Sequence, residues 1–440
     1  MRRRSLLLTL AITTVAVLGS LTACSGTSTP GDSNNDANAI VDPTGDLTGV
    51  TLTLWAAAAS SQEAKQVIDG FEKATGATVK TVVVPDPYET NVQTKLATGA
   101  TPDLMFWQPT NSQLSVIRGA ETLQNLSGQP WESKLSENVA SLGTIDGVRY
   151  AAPVTAPSTI GVYYNKKVFA QAGISGTPAG FDGLLDAANK IKATGVAPFF
   201  EVGGDKWPLQ WTPVVMMADL TKAGDFWPAL NKNENTWTDP AIVETITKYQ
   251  SIITSGLVNA DYKTATFADQ GEALFDGKAG MAVQLGALLS AIQANHTTEE
   301  INSNIGFFPI SPSGNIGTYV PDQTNSVVAP KTGDSKQEAA ARQFLAYWLG
   351  PDYSDFVKDA KTVSIQTAVP SPATVPDAAV SSFEALKDSV GAYQVEAIVA
   401  PDLYLYLADM LYGKKTPQQV AEACEAQFKQ LAAAQGAAGF

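Results

Sequence analysis

The chain has very little of what metal and nucleophilic chemistry use. Its 440 residues contain one histidine, His296, and two cysteines, Cys24 and Cys424. A zinc or copper centre needs three or four such ligands together, so metal binding would rest on carboxylates, and no tight acidic spacing supports it. A histidine triad would depend on His296 alone, in the run Ala294-Asn-His-Thr-Thr-Glu-Glu300, whose composition reads as a solvent-facing loop or helix end. Neither a GxxxxGK[ST] nor a GxGxxG motif occurs, and Gly203-Gly204 before Asp205 lacks the periodic helix of a phosphate loop. No metal or cofactor is expected. Basic residues are also scarce. A net charge of −14 opposes a nucleic-acid groove, which needs a positive field to neutralise phosphates.

Long apolar runs are missing after Leu21, so no later segment approaches the roughly 20 residues of a membrane span. Before it, Arg2, Arg3 and Arg4 precede an apolar stretch from Leu6 to Leu21, which ends in Leu21-Thr-Ala-Cys24. Basic residues retain the start on the cytoplasmic side, the apolar stretch enters the export machinery, and small residues fit a signal-peptidase groove. The segment resembles a bacterial lipoprotein signal over residues 1–23. Lipid is then expected on Cys24, and two acyl chains give the firm attachment that one does not. Residues 24–48 read as the lipidated cysteine and a flexible tether, because Ser25 to Asp46 is mostly Ser, Thr, Gly, Pro, Asn and Asp. With Cys24 modified, Cys424 has no partner for a disulfide. It shares an apolar helix face with Val420, Phe428 and Leu431 and reads as a buried, inert thiol.

The remaining ~390 residues exceed what one core usually supports, which predicts two domains. A composition 44% hydrophobic and only 16% charged supplies the cores. Alternation from Val50 to Trp55 predicts a strand, and Ala64, Val67, Ile68 and Phe71 place a helix over Glu63–Ala74. Val79–Val84 and Leu104–Phe106 follow as strands, with a helix ending near Thr98 between them and another around Leu114 and Ile117. Strands alternating with helices predict an α/β fold with a mostly parallel sheet. Further helices are expected over Phe181–Thr194, from Asp239-Pro240 to Gly256, and from the capping box Thr416-Pro-Gln-Gln419 onward.

Aromatic residues in loops are what the chain has in abundance. All eight tryptophans lie beyond the tether. Trp55 ends the first strand, and Trp107 ends Leu-Met-Phe-Trp ahead of Gln108, Thr110 and Asn111. In open α/β sheets ligands bind beyond the strand C-termini. Glu201-Val-Gly-Gly-Asp205-Lys-Trp207-Pro-Leu-Gln-Trp211 packs two indoles, two acids and an amide into eleven residues. Indole faces stack on the C–H faces of sugars while acids and amides take the hydroxyls. Tyr319, in Gly317-Thr-Tyr-Val, is a further candidate. Trp348 reads as core, Trp131 and Trp237 as packing or surface residues, and Trp227 is open. Glu201, Asp205, Asp219 and Asp225 leave a glycosidase pair as an alternative, but that chemistry needs two carboxyls facing one bond ~5–10 Å apart.

Serial motifs over residues 49 to 432 carry a resemblance. They are Leu52-Thr-Leu-Trp55, Phe71-Glu-Lys-Ala-Thr-Gly76, Leu96-Ala-Thr-Gly-Ala-Thr-Pro-Asp103, Asp146-Gly-Val-Arg-Tyr-Ala-Ala-Pro153, Val162-Tyr-Tyr-Asn-Lys-Lys-Val-Phe169, Phe275-Asp-Gly-Lys-Ala-Gly-Met-Ala282, Ile305-Gly-Phe-Phe-Pro309 and Thr416-Pro-Gln-Gln-Val420. In this order the chain resembles extracellular solute-binding lipoproteins of ABC importers, of the carbohydrate-binding type related to maltose-binding proteins. The resemblance implies a two-lobe periplasmic-binding-protein-like fold with an interlobe cleft, hinge crossovers and no catalysis. Lobe 1 would take residues 49–151 and 310–365, and lobe 2 residues 152–309 and a helical part over 366–440. Crossings would fall near 151–158, 307–310 and 365–370. It also implies a carbohydrate ligand, permease subunits of an ABC importer as partners, and a monomer lipid-anchored on the extracellular face of the cell membrane. Gly286 matches a glycine commonly followed by an aromatic residue, yet Ala287-Leu288 follow it here, which favours a mono- or disaccharide over a long chain. Ser60, Ser61 or Gln62 would replace the charged residues that anchor maltose in the best-known relative. A peptide or polyamine is the alternative solute, and Glu201 with Asp205 leaves a cationic ligand open.

Overall fold

The computed structural model describes residues 40–85 and 88–440. Cys24, the apolar segment and the tether to residue 39 lie outside the described residues. The strands run β1 (Thr51–Ala56), β2 (Thr78–Val83), β3 (Leu104–Phe106), β4 (Thr144–Ile145), β5 (Val148–Arg149), β6 (Ala151–Pro153) and β7 (Ser158–Asn165). They continue as β8 (Ala197–Phe199), β9 (Ala279–Gln284), β10 (Ile305–Phe308), β11 (Thr318–Val320), β12 (Ser326–Val328) and β13 (Val390–Gly391).

Two sheets form two lobes. The first has the order β2-β1-β3-β12-β6, and the second β13-β11-β7-β9-β8 with β10 also on β7. In lobe 1, β1 runs parallel to β2 and β3, as the strand–helix alternation predicts. β12 is antiparallel to both β3 and β6, because it enters from the other lobe. Lobe 2 departs further from a parallel sheet, since β7 pairs antiparallel with β9, β10 and β11. Strand–helix alternation does not report how a chain re-enters a sheet after leaving it.

Each lobe has its own core. Leu52, Leu54, Phe71, Phe106, Phe344 and Trp348 belong to the first, and Phe199, Trp227, Trp237, Ile246 and Phe428 to the second. Trp348 is buried, as its apolar helix face predicts, and Trp131, Trp227 and Trp237 are buried with it. Cys424 is buried in the second core, where loss of solvation pushes its thiol far above the ordinary range. The C-terminal helix Pro417–Ala434 starts on the predicted box: Gln419 N–H donates to Thr416 Oγ1 at 3.3 Å and Thr416 N–H to Gln419 Oε1 at 2.9 Å. Asp239 likewise accepts from Ala241 N–H at 2.9 Å to start helix Pro240–Thr254.

Three segments cross between the lobes. The first follows β6 at Pro153 and enters β7 at Ser158, inside the expected range. The second lies at 321–325, about a dozen residues beyond the expected 307–310, because β10 is followed by β11, which still pairs with β7. The two lie side by side: Asn325 Nδ2 donates to Thr155 Oγ1 at 3.0 Å and to the Ala156 carbonyl at 2.9 Å. The third runs between Thr367, whose N–H bonds to Lys134 in lobe 1, and Thr374, whose carbonyl accepts from Thr298 Oγ1 in lobe 2. The start of the body also shifts. Val41 and Leu47 pack on the first core, and Gln343 Nε2 donates to the Gly45 carbonyl at 2.8 Å. The last residues assigned to the tether are therefore part of lobe 1.

Candidate functional site

The C-terminal ends of β1 and β3, the end of β6 and the start of β12 form the edge of lobe 1 that meets the crossings. Helix Ala58–Thr75 leaves β1 there, five residues before the start at Glu63 that its apolar stripe predicts. Ser60 explains the early start. Its Oγ accepts from Ala57 N–H at 3.0 Å and so satisfies one of the helix's free donors. The same hydroxyl donates to Gln323 Oε1 at 3.1 Å, which ties the helix to the second crossing. Ser60 is fully buried by this double duty. Tyr88 adds a second tie, its hydroxyl donating to the Trp55 carbonyl at 3.2 Å and the Phe106 carbonyl at 2.9 Å.

Among the described residues, two cavities lie between the lobes. One, of about 540 Å³, sits at the crossings. Glu63 of the helix Ala58–Thr75, Asp322 and Asn325 of the second crossing, and Ser158 with Gly286 of lobe 2 help line it. A Cβ on Gly286 would meet only Ser158 Oγ, at 3.6 Å, so the backbone there is open to an approaching group. Glu63 is the unusual member. Its Oε2, shielded from solvent, has no hydrogen-bond partner, and burial with the nearby Asp322 charge raises its carboxyl to about 7. Asp322 is held by Thr324 N–H at 2.6 Å. The other cavity, of about 900 Å³, brings Asn111 and Ser115 of lobe 1 against Asn231, Tyr319 and Glu396 of lobe 2. Burial, then the Glu396 charge, raises the Tyr319 hydroxyl to about 12.

The residues singled out by sequence are therefore divided. Asn111 and Tyr319 share the larger cavity, and Gly286 lines the smaller one. Gln108 is half-buried, and its Nε2 donates to Glu89 Oε1 at 3.1 Å. The tryptophans are corrected. Trp107 is fully buried in the first core, its indole N–H donating to the Gln113 carbonyl at 2.9 Å, because residue 107 continues the β3 ladder against Ser326. Trp55 is only 6% exposed, with Lys95 Nζ 5.5 Å from its ring. Trp211 is core, and Trp207 leans on it at 6.1 Å and on Phe267 at 5.0 Å. The glycosidase pair is not formed. Glu201 is buried, accepts from Tyr249 Oη at 3.0 Å, and is raised to about 8 mainly by burial. Asp205 is exposed and accepts from Phe267 N–H at 2.6 Å. His296 is not the solvent-like residue its neighbours predict. It stacks on Phe275 at 3.5 Å and meets Glu272 at 3.0 Å. Glu63 and Asp322 carry no signal in the sequence, because neither belongs to a motif-bearing run. Only the crossing at 321–325 brings them together.

Among the described residues no group of His, Cys, Asp or Glu is placed to hold a metal, and no helix is long and apolar enough to cross a membrane. Two α/β lobes joined by three crossings, with a polar cavity where the crossings meet, define a receptor of the two-lobe solute-binding class. The chain belongs to the bacterial extracellular solute-binding protein family, which it matches over residues 57–355. Membership places it among binding proteins and not enzymes. It is 27% identical over 246 residues to a binding protein of Brucella abortus, covering 52% of this chain and 57% of that one, so the chain spans little more than half of that relative's length. It is 26% identical to the diacetylchitobiose binding protein of Streptomyces coelicolor over 78% of each chain. A binding protein of Bacillus subtilis, solved in an open conformation, superposes with a TM-score of 0.74 at 20% identity, covering 89% of this chain and all of that one.

Proposed function

We propose that this protein is the receptor of an ABC-type sugar importer and holds a neutral saccharide between its lobes, in the cavity at the crossings. The observation that carries the reading is the lining of that cavity. Ser158, Ser290 and Gln293 of lobe 2 and Thr155 of the first crossing bring hydroxyls and an amide to one space of about 540 Å³, and Glu63 and Thr362 of lobe 1 help close it. Such groups match the alternating donors and acceptors of a polyol. The family resemblance and the diacetylchitobiose relative support the sugar class. Because residues of both lobes and of the crossings meet the ligand, closure would be favoured by binding, and the closed form is what a permease would recognise. Glu63 and Asp322 also favour a second reading, a cationic solute such as a polyamine.

A thermal-shift screen of mono-, di- and trisaccharides, with polyamines, amino acids and short peptides alongside, separates the readings. A rise in melting temperature with neutral saccharides is expected. A response to polyamines alone would replace the sugar reading with the cationic one. The lipobox Leu21–Cys24 supports anchoring by acyl chains on the outer face of the membrane. Radiolabelled palmitate should enter the wild-type chain and not Cys24→Ser, and equal labelling of both would end that proposal.

A further inference from the structure

Glu63 lies one turn into the helix Ala58–Thr75, and Ser60 of the same helix is bonded to Gln323, the neighbour of Asp322. The helix start and the second crossing are thereby locked together with two acids on the cavity wall. The other charged residue on that wall is Lys361, which is exposed and so screened by solvent and salt. Asp322 already accepts from Thr324 N–H and Oγ1 and caps its own turn. Glu63 has no such employment: its Oε2 is shielded from water and has no partner. Buried polar atoms left unpaired are costly, and native proteins retain few of them. The cost is intelligible if a ligand supplies the missing donor.

We infer that Glu63 is the ligand-anchoring acceptor of this cavity and that, with Asp322, it restricts the site to saccharides that offer a hydroxyl donor and carry no negative charge. The inference rests on the saccharide reading above. A ring hydroxyl given to a carboxylate oxygen makes a charge-assisted bond, stronger than one to a neutral amide. A uronate or sugar phosphate would bring a negative charge against Asp322 and, above about pH 7, against an ionised Glu63 as well, in a space walled on two sides by protein. Burial and the Asp322 charge already raise Glu63 to about 7, so the acid is short of positive partners and of donors. An incoming hydroxyl relieves that shortage and an incoming anion worsens it.

The test titrates wild type, Glu63→Gln and Asp322→Asn by calorimetry with galactose, raffinose and diacetylchitobiose, and with galacturonate as an acidic counterpart. Any neutral sugar that binds wild type should lose about tenfold or more in affinity in Glu63→Gln and less in Asp322→Asn, with galacturonate failing to bind. The ligand-free Glu63→Gln protein should melt at the wild-type temperature or higher, since a shielded carboxylate oxygen without a partner stabilises nothing. Unchanged sugar affinity in Glu63→Gln overturns the inference and leaves the saccharide reading standing. So does galacturonate binding as tightly as galactose. A lower melting temperature for ligand-free Glu63→Gln marks the residue as structural and overturns it too. If no saccharide binds wild type, the saccharide reading falls and takes this inference with it.

Discussion

Two glutamates, one buried and one half-buried, show how differently this molecule uses one residue type. Glu201, just past β8 in lobe 2, is enclosed by core and paired with the Tyr249 hydroxyl, and its own N–H bonds to Asn259 Oδ1 at 2.7 Å. Glu63, at the start of a helix in lobe 1, has an oxygen without a partner and faces a cavity. Burial raises both acids, to about 8 and about 7. A raised carboxyl therefore does not by itself identify a binding group. The partners do, because a satisfied acid is architecture and an unsatisfied one beside a cavity is available to a ligand.

The same contrast separates the tryptophans, and it gives the largest expected effect. Trp107→Ala removes a fully buried indole and its bond to Gln113, so the protein should lose about 3–5 kcal/mol of stability in urea melts. Trp207→Ala, at a half-buried ring, should cost about 1 kcal/mol. Equal losses would erase the distinction between core and edge indoles. A Trp107→Ala protein of wild-type stability and weakened sugar binding would restore the stacking role.

A smaller effect concerns pH. Glu201 and Glu63 hold their protons more tightly in the folded chain than at the ordinary 4.5 of an unfolded glutamate. The folded state thus binds more protons between about pH 4.5 and 8, and these two groups make stability fall as pH rises through that window. Glu201→Gln keeps an acceptor for Tyr249 and removes the ionisation, so the drop in urea midpoint from pH 5 to pH 8 should shrink. An undiminished drop would show that Glu201 titrates normally despite its enclosure.

Much of the fold was legible because it depends on local rules. Leu52, Leu54 and Trp55 alternate as a strand, Asp239-Pro240 and Thr416–Gln419 carry helix starts, and chain length divides into two cores. The site was less legible. The run Glu201–Trp211 has the composition of a sugar platform, yet Leu209 and Trp211 sit in the second core and Trp207 packs against it. Composition within a run reports which groups are near one another and not which way they point.

By itself the sequence determined an α/β chain long enough for two domains, short of metal and nucleophilic groups, with a first segment that resembles an export signal. Periodicity, caps and charge are local, and local order is enough to establish them. Only the tertiary structure decided that Trp107 is core, that the second crossing lies at 321–325, and that Glu63 meets Asp322 across more than 250 residues of chain. Those contacts depend on where a strand re-enters a sheet, and no spacing along the chain records that.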